Sequence, residues 1–145
     1  MDKNQNTAEL LSEIYRGAKM GVETIDNLLN KVNDNNIYDE LKYQQSCYEE
    51  IANEAFGEMS KRNSEAKDIS AINKINAKMS VGINTLIDNS SSHLADMMIK
   101  GNTMGVTGIT KSLNSHISAD EDIKALAERF IKIEQDNVER LKKFL

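Results

Sequence analysis

The chain has 145 residues, no proline, no tryptophan and a formal charge of −5, from 18 basic against 23 acidic side chains. The length suits a single domain with a sizeable core, and 28% charged residues on a strong aliphatic pattern exclude a disordered chain. An acidic balance with scattered cations excludes non-specific nucleic-acid binding, which needs a basic face to neutralise phosphates.

One cysteine, Cys47, cannot form an internal disulfide, so the expected setting is reducing and cytoplasmic. The opening MDKNQNTAEL has neither a basic nor an apolar leader region, and no apolar run approaches the ~18 residues of a membrane span. Without proline, long uninterrupted helices are expected.

Five helical segments are expected in one domain over 1–145, at about 7–33, 36–63, 68–88, 91–114 and 119–144. The first is capped by Thr7 and carries Leu10, Ile14, Ala18, Ile25, Leu28 and Val32 at helical spacing. Asn33, Asp34, Asn35 and Asn36 then favour a turn. The second segment carries Ile37, Leu41, Tyr48, Ile51, Ala55 and Met59 in one stripe, interrupted by Gln44, and ends at Arg62 and Asn63. So short a turn predicts an antiparallel hairpin of two helices, each about 40 Å long.

The third segment places Ile69, Ile72, Ile75, Met79, Ile83 and Leu86 on one face. Asp88, Asn89, Ser90, Ser91 and Ser92 compete for backbone hydrogen bonds, which predicts a break near 88–91 and a new helix start there. The fourth segment carries Leu94, Met97, Met98, Met104, Ile109 and Leu113, with Gly101, Gly105 and Gly108 on one face. Each mid-helix glycine costs about 1 kcal/mol against alanine, so the trio calls for close approach of a neighbouring helix or room for its bulky side chain. Ser118 with Glu121 reads as a capping box for the last helix. That helix carries Ile123, Leu126, Phe130, Ile133, Val138 and Leu141, and Arg140, Lys142 and Lys143 complement its C-terminal dipole.

Long helices in this arrangement resemble the ferritin-like superfamily. The resemblance is closest to small bacterial members of that fold with no assigned activity. It is carried by Ser12, Glu13, Ile14 and Tyr15; by Lys19, Met20, Gly21, Ile25 and Asp26; and by Tyr48 and Ile51. It continues through Asn84, Thr85 and Asp88, through 92–101, and through Met104, Gly105, Leu126 and Ala127. The resemblance implies an all-α, antiparallel four- to five-helix bundle, ferritin-like, with its third long segment broken near 88–91.

Many such bundles hold iron or manganese between inward carboxylates and histidines in Glu-x-x-His spacing. This chain has no Glu-x-x-His: Glu50 is followed by Asn53 and Glu134 by Asn137. The expected protein is therefore a non-catalytic structural or interaction protein without a cofactor, self-associating through its glycine-rich face. The alternative is a di-metal protein or oxidoreductase using Glu23, Glu50, Glu54, His93, Asp96 and Glu134. His93 and Asp96 lie one turn apart, a spacing able to bind metal or move protons, with Asp88 nearby. Capping at the helix start is the simpler role for His93. His116 reads as a solvated loop residue, and Cys47 beside Glu49 and Glu50 as an unreactive thiol. The four methionines in the third and fourth segments read as adaptable core packing. A third reading is a small-molecule pocket opened by Gly101, Gly105 and Gly108 beside Tyr48 and Gln44.

Overall fold

The computed structural model describes residues 2–63 and 82–145, and its regular structure there is entirely helical. Helix α1 spans Lys3–Leu29 and starts earlier than expected, because Asp2 supplies the N-cap and accepts from Gln5 N at 2.7 Å. Thr7 is buried inside that helix and caps a different one: its Oγ1 accepts a 2.8 Å hydrogen bond from Asp120 N.

Helix α2 spans Asn35–Lys61, with Asp34 accepting from Asn36 N at 2.7 Å. The linking turn lies at 30–34, a few residues ahead of the expected Asn33–Asn36. Asn63 beyond the end of α2 takes φ 52°, a left-handed conformation that asparagine tolerates after a helix.

The expected helix at 68–88 falls mostly outside the described residues. Its described end is helical at 82–84, turns at Thr85 and is non-helical from 86 to 90, close to the expected break. Asp88 Oδ1 accepts from Ser90 N at 3.0 Å, and Ser90 Oγ accepts from His93 N at 3.2 Å. Those two bonds set the start of α3, Ser91–Ser115.

Helix α4 spans Glu121–Leu141 and closes in a 3₁₀ turn, Lys142–Phe144. The Ser118 capping box does not form, since Asp120 occupies the N-cap position. Its backbone N–H goes to Thr7, while its carboxylate meets Arg62 at 3.2 Å and Lys3 at 3.4 Å. Replacing Thr7 by Val should therefore cost about 1–2 kcal/mol in chemical denaturation, with Thr7→Ser keeping most of it. A Thr7→Val midpoint equal to the parent's would show that this bond between the two ends of the chain adds nothing.

The closest pairings are α1 with α2 and α3 with α4. Between α1 and α2 the rings of Tyr15 and Phe56 lie 6.1 Å apart, and Gln45 Nε2 donates to Val22 O at 3.1 Å. Between α2 and α4, Arg129 meets Glu54 and Arg140 meets Glu40, each at 2.9 Å. The core is drawn from all four helices, as the stripes require: Leu10 and Ile14, Leu41 and Ile51, Leu94 and Met98, Leu126 and Phe130 are all buried. At about 25 cal/mol per Å² of apolar surface removed from water, these side chains dominate the folding energy.

Two stripe positions depart from expectation: Met104 is 75% exposed, and Gln44 is wholly buried, donating to Glu40 Oε2 at 2.9 Å. His116 is not solvated either. Its side chain is nearly enclosed, with Nε2 3.0 Å from Glu9 Oε2 and Nδ1 2.7 Å from Ser112 O. A contact between positions 9 and 116 has no local sequence signature.

Candidate functional site

The inward face of α3 repeats at Leu94, Met98, Asn102, Gly105 and Ile109, steps of three and four residues, all of them buried except the half-buried Gly105. That register carries one polar side chain, Asn102, into the interior, where it is 1% exposed. From α4 the equivalent inward positions are Phe130, Glu134 and Asn137, all buried, and from α2 comes Tyr48.

Three helices bring these residues to one point. Tyr48 Oη lies 2.5 Å from Asn102 Oδ1 and is hydrogen-bonded to Glu134 Oε1. Asn102 Nδ2 in turn donates to Met98 O at 2.8 Å. The Tyr48 ring packs 6.1 Å from that of Phe130.

Two glycines make room for this cluster. A Cβ at Gly21 would lie 2.7 Å from the Tyr48 ring, and one at Gly105 would lie 1.8 Å from Glu134 Oε2. Gly105 thus has the role expected of it, leaving space for a bulky side chain from a neighbouring helix. Gly101 and Gly108 do not, since a Cβ at either meets no described atom within 4 Å.

Burial pushes the Glu134 carboxyl from its ordinary 4.5 up to about 8, and the Tyr48 hydrogen bond pulls only partly against that shift. Burial, and then Glu134, push the Tyr48 phenol well above its ordinary 10. Both groups are therefore neutral near pH 7. Proton bookkeeping agrees, because a phenol has one proton and faces two oxygens. A neutral Glu134 donates to Tyr48 Oη, and Tyr48 donates to Asn102 Oδ1. The chain of bonds then runs one way, from Glu134 to the Met98 carbonyl.

The cluster faces a cavity of about 590 Å³ between α1, α3 and α4. Its walls are mostly apolar, with Met20, Met98, Ile109 and Phe130 among them. Gly17, Gly21, Gly101, Gly105 and Gly108 lie along it, and Tyr48, Asn102 and Glu134 form its polar part. Glu13 and Arg16, joined at 2.8 Å, also line it. Met104, largely exposed, is also a wall residue here. A smaller recess of about 290 Å³ lies beside Cys47, Tyr43 and Arg140. The Arg140 guanidinium there sits 4.3 Å over the Tyr43 ring and is already paired with Glu40.

Of the six carboxylate and histidine candidates, Glu134 alone is buried. Glu23 pairs with Lys19 at 3.8 Å, Glu54 with Arg129, and Asp96 with Lys100 at 2.9 Å, while Glu50 is exposed. His93 is half-buried at the start of α3, where its backbone N–H completes the Ser90 cap. Among the described residues no three of His, Cys, Asp and Glu gather at metal-binding distance. A di-metal centre needs several ionised carboxylates around one point. Glu134, neutral, hydrogen-bonded to a phenol and with Asn137 where a histidine would stand, does not supply that arrangement among the described residues.

The six candidates did not include Asn102. Its position in the Leu94–Ile109 register, a lone amide on an apolar face, is the signal that marks it. Gln44, expected at the pocket, belongs instead to the Glu40–Arg140 network. No described helix is long and apolar enough to cross a membrane. Comparison with protein-family models, with curated proteins and with solved structures finds no match to this chain.

Proposed function

We propose that this chain is a non-catalytic binding protein: an antiparallel helical bundle, ferritin-like in outline, that holds a small, mostly apolar molecule in its interior. The cavity with Tyr48, Asn102 and Glu134 at its polar part carries this reading. Ligand sites commonly combine apolar walls with a few convergent polar groups and a shifted titratable residue, all of which meet here.

The antiparallel outline is supported by the contact pairs. Tyr15 meets Phe56 and Val22 meets Gln45, while Glu40 meets Arg140 and Glu54 meets Arg129. Positions rising along one helix meet falling positions along its neighbour. In ferritin-like bundles the inward carboxylates hold metal. Here the buried carboxyl at the cavity, Glu134, is neutral and joined to a phenol, which favours an uncharged, apolar guest.

The test is saturable binding of diphenylhexatriene, an elongated apolar dye that fluoresces in dry surroundings. One dye per chain is expected. Leucines at Gly101 and Gly108 together should weaken binding by at least about tenfold, because both positions lie on the cavity wall with no described atom to clash with. Dye binding that ignores the double substitution, or no dye binding at all, would sink the reading.

A further inference from the structure

Resting on that reading, we infer that the guest carries a neutral hydrogen-bond-donating head, an alcohol hydroxyl, seated on Glu134 Oε2. Within the Tyr48–Asn102–Glu134 chain the other polar atoms are already engaged, and the buried Asn137 Nδ2, which has no hydrogen-bond partner among the described residues, does not line the cavity. Tyr48 Oη serves both Glu134 Oε1 and Asn102 Oδ1, and Asn102 Nδ2 is held by Met98 O. Oε2 receives no hydrogen bond from a described residue. It rests instead against the bare backbone of Gly105, where a Cβ would fall 1.8 Å away. With the proton on Oε1, Oε2 is a carbonyl oxygen that can only accept.

The same bookkeeping selects among heads. A carboxylate offers only acceptors to an acceptor. An ammonium head draws Glu134 into its ionised form, and the single Tyr48 proton must then choose between Glu134 and Asn102, leaving a buried acceptor unpaired. It also brings a charge into a mostly apolar cavity. An alcohol O–H completes Oε2 and disturbs nothing. Among the described residues no other titratable group bonds to Glu134: α2 presents Tyr48, and α3 presents Asn102 and Gly105. On α1 Arg16 pairs with Glu13 through one terminal nitrogen while its buried Nε has no partner among the described residues, a donor that the carboxylate probe tests directly.

The experiment competes four probes with one ten-carbon tail against diphenylhexatriene on the full chain at pH 6.5. They are 1-decanol, its methyl ether, decylammonium and decanoate. Decanol is expected to bind about tenfold or more tighter than each of the others, the ether differing from it by the O–H donor. In the Glu134→Leu protein the gap between alcohol and ether should close. Preference for the ammonium or the carboxylate, or an ether equal to the alcohol, would overturn the assigned head while leaving the cavity reading intact. Failure of all four probes together with the dye would overturn the cavity reading itself.

Discussion

Gly105→Ala is expected to destabilise the protein by about 1–3 kcal/mol, although it adds a single methyl group and improves helix propensity. The new Cβ would lie 1.8 Å from Glu134 Oε2 and 2.9 Å from the carboxyl carbon, so both cannot stay. The carboxyl ends a flexible side chain and can swing aside, so the cost is the Tyr48 hydrogen bond and the repacking around it. The neighbouring glycines carry the opposite expectation. A Cβ at Gly101 or Gly108 meets no described atom, so alanine at either should stabilise by about 0.5–1 kcal/mol. Urea midpoints at constant slope measure all three substitutions. A Gly105→Ala protein as stable as Gly101→Ala would mean that Glu134 is not lodged against α3.

The second large effect is a loss of stability as pH rises from about 4.5 to about 8. Glu134 has a folded pKa raised by burial to about 8. Below pH 4.5 both the folded and unfolded chains hold its proton, and the stability it permits is fully present. Above that, the unfolded chain releases the proton while the folded chain keeps it. Stability then falls by up to about 1.4 kcal/mol per pH unit, until the folded carboxyl ionises as well. Glu134→Gln should flatten this slope and make the variant more stable than the parent at pH 8. Asp120 and Glu58 have pKa values lowered, chiefly by hydrogen bonds from Arg62. Their contribution has the opposite sign and is lost only as pH falls through the acid range, so the two windows do not overlap. Unfolding free energies at pH 5, 6, 7 and 8 decide the matter. Equal slopes for parent and Glu134→Gln would show that the buried carboxyl titrates normally.

Much of the helical frame was legible in the sequence because helix formation is a local matter. The Leu10–Leu28 and Ile37–Met59 stripes repeat at helical spacing, and a stripe needs only neighbours three and four positions away to declare its face. The polar run at 88–92 declared the start of α3 for the same reason, as its side chains bond to their own backbone. Even the demand at Gly105 was visible as a local cost seeking a distant reason.

The site was legible only in part: the three glycines of α3 and Tyr48 were expected at a pocket, but its bonded partners lie far apart along the chain. The spacing of Phe130, Glu134, Asn137 and Leu141 sets Glu134 near the inner edge of its stripe, but nothing local says what it meets there. It is buried and neutral because α2 presents Tyr48 and α3 presents a glycine at that level. Thr7 looked like a cap for its own helix and became the partner of Asp120; His116 looked solvated and found Glu9. Periodicity tells a residue which way to face. The tertiary structure alone decides what it meets there, because burial and hydrogen bonding depend on side chains brought in from other helices.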